Sequence, residues 1–259
     1  MCATTSPSTF LGHGSSTPAE GQSLTFTDQA EMIAQFLDAM DIESVDLIAS
    51  DSGTVIAQIL AVRHPERVRS LVVTNRDVHD NWPPSAFEDF TVRVAAGELP
   101  DILQQFHDDH DAYGGPEGIG RAYQRPENVT DEEIDVYIEP LATIPGRSGA
   151  LARFISAFDN RHTTALADRL AELRIPTLII WGTGDIFFDP TGARCLADTL
   201  PEACEPVILD NGALLLPSER FREVNTSIGV FGMVSSRRYA GDDASHSRDR
   251  FWMQSRSAS

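Results

Sequence analysis

The chain has 259 residues, 41% of them apolar, enough for one large domain or for a core carrying an insertion. A net charge of −19 excludes nucleic acid and anionic membrane as partners, since both need a basic face. Every cationic side chain is arginine, so Schiff-base lysine chemistry is excluded too.

Cys2, Cys195 and Cys204 are scattered rather than paired in pattern. No apolar run reaches the ~18 residues of a membrane span. The opening MCATTSPSTF lacks the basic and apolar regions of a signal peptide. Together these features predict a reduced, cytoplasmic setting.

Residues 1–24 are rich in Ser, Thr, Gly and Pro and read as loop. From Asp28 to Met40 the apolar positions Ile33, Phe36, Leu37 and Met40 share one helical face. Asp46–Ser50 is a short apolar run without alternation, as in a strand covered on both faces. Gly53–His64 is a helix stopped by Pro65, and Val68–Thr74 is a second buried strand. Strand, helix and strand of these lengths make a right-handed βαβ unit.

Beyond residue 78 the chain turns acidic and turn-rich, with helices near Glu132–Tyr137 and Ala150–Phe158, which reads as an inserted helical cap. Ile175–Trp181 and Glu205–Leu209 are further strands flanking a helix at Thr191–Leu200, and Glu219–Val224 starts a last helix. From Asn225 the periodicity fails: residues 225–259 hold five arginines against three aspartates and many serines, the pattern of a disordered or irregular tail. The expected organisation is therefore 1–80 as the first part of a core, 81–165 as cap, 166–224 as the second part of the core, and 225–259 as tail.

The chemistry concentrates where the first buried strand meets its helix. Asp51 lies between Ala49 and Gly53 in the layout small-x-nucleophile-x-Gly, a nucleophile elbow with a carboxylate at its centre. Small neighbours are needed because strand and helix backbones pass close to a strained turn. The turn would lift Asp51 to the C-terminal edge of a parallel sheet, facing the helix N-terminus. The alternative reading makes Asp51 only an N-cap of that helix. Ser50 and Ser52 are alternative nucleophiles.

These segments, from about Phe10 to Glu223, resemble the α/β-hydrolases, specifically the branch with an aspartate nucleophile: haloalkane dehalogenases, haloacetate dehalogenases and epoxide hydrolases. FLGHGSSTP resembles the G-x-G-x-S loop after the family's fourth strand, HPERVRSLVV the run into its sixth, and WGTGDIFFDP its W-G-x-x-D site. The resemblance implies an α/β-hydrolase core with a mostly parallel sheet and an inserted helical cap. Asp51 would be the nucleophile, forming an alkyl ester with a small haloalkane, epoxide or ester-like substrate, and Asp185 the triad acid. Asp77 is a second acid position used by some relatives. Neither cofactor nor metal is implied.

Three departures bear on activity. Ala213 stands where the family has its histidine. By the resemblance, the chain is expected to start at about the end of the fourth strand, without the preceding strands and their H-G-x-P loop, and His13-Gly14 lies too close to Asp51 to be that loop. Ser52 replaces the Trp that follows the nucleophile in many relatives.

His79, just past the sixth strand, and His162, before the seventh, are candidates for the missing base. His107 and His110 have helical H-x-x-H spacing among aspartates, and read as a solvated acidic face more readily than as a metal site. His64 should simply end the elbow helix. Ser52 and Trp82 are candidate substrate contacts, and Phe87 and Phe90 either line a cleft with Trp82 or form cap core.

In the family's strand order the absent third strand pairs with the fifth, which would leave Asp46–Ser50 as an exposed apolar edge and favour a homodimer through it. Two functions stay open: an Asp51 hydrolase, or a catalytically impaired, binding-only relative.

Overall fold

The computed structural model describes residues 4–14, 16–75, 83–115, 118–239 and 251–256. Six strands, β1 (Thr4–Thr9), β2 (Val45–Ser50), β3 (Val68–Thr74), β4 (Thr177–Gly182), β5 (Val207–Leu209) and β6 (Phe251–Arg256), form one sheet in the order β1-β6-β2-β3-β4-β5. Every pairing in it is parallel.

Two helices precede β3: α1 (Phe26–Ala39) and α2 (Ser52–Arg63). Among the described residues, seven lie between β3 and β4: α3 (Glu88–Ala95), α4 (Leu99–Asp108), α5 (His110–Gly114), α6 (Asp131–Thr143), α7 (Arg147–Ser156), α8 (Arg161–Thr164) and α9 (Ala167–Leu170). α10 (Thr191–Thr199) separates β4 from β5, and α11 (Leu216–Glu219) and α12 (Phe221–Tyr239) follow β5. None of these helices is long and apolar enough to cross a membrane.

The centre is the βαβ unit expected from sequence. β2 and β3 pair from Asp46↔Ser70 to Ser50↔Thr74, and α2 is buried from Ser52 through Val62. Burial on every side explains why that helix has no polar face and is not amphipathic. Its first turn is anchored by Thr54, whose hydroxyl donates to the Thr74 carbonyl at 3.0 Å. His64 forms the C-cap, and Pro65 prevents continuation. The carboxylate buried in β2 is paired in place: Asp46 accepts from Ser70 Oγ at 2.7 Å and from Arg69 at 2.9 Å.

Three expectations need correction. Residues 1–24 are not all loop, since Thr4–Thr9 forms β1. The tail is not irregular throughout, since α12 runs to Tyr239 and Phe251–Arg256 forms β6. Most consequentially, β2 is no open edge: β6 pairs with it from Asp46↔Trp252 to Ala49↔Ser255, and with β1 on the other side. The C-terminal segment thus sits beside β2, where the family order puts its third strand, and the exposed-edge argument for a dimer falls. β1 carries Pro7, which lacks a ladder donor, and it lies at the sheet margin where proline is tolerated.

Candidate active site

The chain leaves β2 into a sharp turn at Asp51, with φ 49° and ψ −131°, and enters α2 at the next residue. A non-glycine residue at positive φ is held at a cost on the order of 1–3 kcal/mol, and such strain clusters where a side chain must be aimed. Asp51 occupies the N-cap position, yet its carboxylate makes no capping hydrogen bond to the helix, which removes the cap as the reason for an aspartate here. Ser52 Oγ lies 3.5 Å from Asp51 Oδ2, as a donor to it. Ser50, the other serine, is engaged by Thr74, whose hydroxyl donates to Ser50 Oγ at 2.8 Å.

Asp51 faces a cavity of about 140 Å³. Phe87, Phe90 and Phe106 line it from the first part of the helical insert, Phe154 and Phe158 from α7 and the residues just past it, and Phe187 and Phe188 from the loop after β4. Its polar lining among the described residues is His13, Asp51, Ser52 and Arg121, the last with its guanidinium 5.7 Å from the Phe187 ring centroid. Few convergent polar groups in an apolar concavity are the ordinary composition of a small-molecule site.

Asp185 lies behind this wall, at the end of the W-G-x-x-D segment. Gly182 is obligatory there: a Cβ on it would lie 2.0 Å from the Gly212 carbonyl oxygen, so only glycine lets the two backbones pass. Asp185 Oδ1 accepts from the Phe187 and Phe188 amides at 2.8 and 3.1 Å. Its Oδ2 accepts from Asn75 Nδ2 at 2.8 Å, and the same Nδ2 donates to the Ala213 carbonyl at 3.0 Å. Asn75 Oδ1 in turn accepts from the Gly182 amide at 3.0 Å. The sequence reading missed Asn75, which closes a fully satisfied network at the ends of β3 and β4. Burial is the main force pushing the Asp185 carboxyl up to about 6, with the Asp51 charge adding to it against the three donors. The carboxyl that would orient a histidine is thus held by an amide, and the side chain at 213 is a methyl.

Among the described residues, the histidine that reaches the cavity is His13, on the loop after β1. It is 1% exposed, and burial depresses its imidazole to about 4 despite the Leu11 carbonyl and the Asp51 charge, which act the other way. In the sequence, the FLGHG segment resembles a strand-four loop, a likeness that does not mark its imidazole as a site group.

The other candidates separate clearly. His79, Trp82 and Asp77 lie outside the described residues, as does His246. His162 packs edge-on against Phe26 and meets Thr27 Oγ1 at 3.4 Å, away from the cavity lining. His110 bridges Asp131 and Asp135, each at 3.1 Å, and His107 pairs with Asp108. Among the described residues no cluster of His, Cys, Asp and Glu could hold a metal ion. Phe87 and Phe90 do line the cleft.

The α/β-hydrolase fold family matches residues 10–219, most of the chain. The chain belongs to this family. Among its α/β-hydrolase relatives, a haloalkane dehalogenase of Mesorhizobium japonicum is 28% identical over 231 residues, covering 78% of this chain and 67% of that protein. Epoxide hydrolase 4 of Mus musculus is 24% identical over 246 residues, covering 88% and 65% respectively. This chain therefore spans about two thirds of the length of either hydrolase. The solved haloalkane dehalogenase DbeA of Bradyrhizobium elkani superposes with a TM-score of 0.69 at 21% identity, over 88% of this chain and 80% of its own, a likeness of fold.

Proposed function

We propose that this α/β-hydrolase family member is a hydrolase in which Asp51 displaces a leaving group from saturated carbon, in the manner its dehalogenase- and epoxide hydrolase-named relatives suggest. The observation that carries the reading is Asp51 itself: strained at the elbow, unused as a helix cap, and directed at an apolar cavity. One carboxylate oxygen attacks the carbon and forms the alkyl ester. The carbon–halogen bond breaks, and halide leaves with the electron pair. With an epoxide the ring C–O bond breaks instead, and the alkoxide takes a proton from water.

The cavity matches in size the ~150 Å³ apolar cavities that hold benzene, which limits substrates to short haloalkanes, halomethyl arenes and small epoxides. Ser52, beside Asp51 on the cavity wall, is a substrate contact in this reading.

The test is intact mass after incubation with 1-bromobutane or styrene oxide, beside an Asp51→Asn control. An adduct of the alkyl mass on the wild type alone supports the mechanism. The absence of both adduct and substrate loss would overturn it.

A further inference from the structure

We infer that His13 is the base that activates water to hydrolyse the Asp51 alkyl ester, in place of the histidine missing at position 213; this rests on the Asp51 reading above. Of the five histidines among the described residues, His13 alone lines the cavity that contains Asp51. Its ring is held on two sides, edge-on to Phe154 with centroids 4.6 Å apart and to Phe10 at 5.9 Å.

Its tautomer follows from its backbone neighbour. Nδ1 lies 3.4 Å from the Leu11 carbonyl oxygen, and a carbonyl only accepts, so the neutral ring carries its proton on Nδ1 and leaves the Nε2 lone pair free to take one. Leu11 is itself clamped: its amide donates to Gln29 Oε1 at 2.9 Å, and its carbonyl accepts from Gln29 Nε2 at 3.1 Å. Gln29 is fully buried on α1, so the orienting carbonyl is fixed by a packed helix rather than by a mobile loop. The base–orienter logic of a triad is preserved, with a peptide carbonyl in the role of the carboxylate.

The step balances as follows. Water loses a proton to Nε2 while its oxygen bonds to Cγ of the ester. The tetrahedral centre then collapses with cleavage of the Cγ–O(alkyl) bond. The departing alkoxide recovers the proton from Nε2, and Asp51 is released as the carboxylic acid carrying one oxygen from water, whose remaining proton passes to solvent to restore the carboxylate. Burial keeps the imidazole neutral at neutral pH, so the accepting form is populated, but it also opposes protonation. Hydrolysis is therefore the slow half-reaction, and the ester accumulates.

The experiment follows the Asp51 adduct by intact mass in single turnover with 1-bromobutane. It compares wild type with His13→Phe, which keeps an aromatic ring against Phe10 and Phe154, and with His13→Ala with and without added imidazole. Adduct formation is expected in all three proteins, and its rate is fitted separately from the decay. Adduct decay is expected at least tenfold slower in both variants, and restored by imidazole in His13→Ala, with ¹⁸O from labelled water entering Asp51 only where decay occurs. Adduct that decays in His13→Phe as fast as in wild type overturns the role of His13 and leaves Asp51 standing. Absence of adduct on every protein, wild type included, overturns the Asp51 reading and His13's role with it.

Discussion

The two buried ionisable groups beside Asp51 titrate in opposite senses over the same pH range, so each should hide the other until one is removed. Asp185 is raised from its ordinary 3.8 to about 6 by burial. A carboxyl raised in the folded state adds stability that is complete below about pH 4 and is lost as pH rises through 6. At about 1.4 kcal/mol for each pH unit between the two values, its ionised form burdens the fold at neutral pH by about 3 kcal/mol.

His13 is lowered from 6.5 to about 4 by burial. Its stability is complete above pH 6.5 and falls by about 3 kcal/mol as pH drops to 4, because the unfolded chain then binds the proton and the folded one does not. With both groups present the slopes nearly cancel. Asp185→Asn removes one of them. Its stability relative to wild type should then shrink by about 2–3 kcal/mol between pH 7.5 and pH 4, whatever constant offset the amide introduces through its neighbours. Urea unfolding followed by circular dichroism at half-unit pH steps, at micromolar protein, measures the difference directly. A difference between variant and wild type that stays level within about 0.5 kcal/mol across that range would refute the assignment of a buried, up-shifted carboxyl at 185.

Asn75→Ala deletes one donor and one acceptor that serve three buried partners, the Asp185 carboxylate, the Ala213 carbonyl and the Gly182 amide. At ~1 kcal/mol or slightly more for each partner left unsatisfied, it should cost about 3–4 kcal/mol and lower Tm by about 10 °C. A thermal shift under about 3 °C would show that the network is dispensable. Deleting residues 240–259 removes β6 and leaves β1 and β2 without their shared partner. Size-exclusion chromatography with light scattering should then show oligomers or aggregate, and a monomer with wild-type circular dichroism would contradict the pairing.

What was legible in the sequence is what local pattern encodes. The buried α2, its stop at Pro65, the strands on either side and the glycine of W-G-x-x-D announce themselves through burial and close approach. Asp51 and Asp185 could be found for the same reason, each sitting at a turn whose neighbours are constrained. β1 and β6 could not, because TTSPST and FWMQSR carry no continuous apolar run and owe their place to pairing partners far away in the chain. Asn75 and Gln29 were equally silent: a lone amide looks the same whether it is solvated or closes a buried network, and only the third dimension shows which carbonyl it meets. His13 stood in a noticed motif, but a motif records spacing, and the reach of its imidazole into the cavity depends on a loop closing back over Phe10 and Phe154.

The position of β6 also bears on how the molecule comes into being. Its register with β1 joins residues from opposite ends of the chain, Thr4 to Phe251 and Thr9 to Arg256, so these are among the least local contacts the polypeptide can make. During synthesis β2, β3 and their helix can assemble early, yet the slot between β1 and β2 stays vacant until residues 251–256 have left the ribosome. The nascent chain carries two unpaired strand margins until then. Its yield in a cell should be set by how fast β6 arrives and inserts, more than by the stability of the finished sheet.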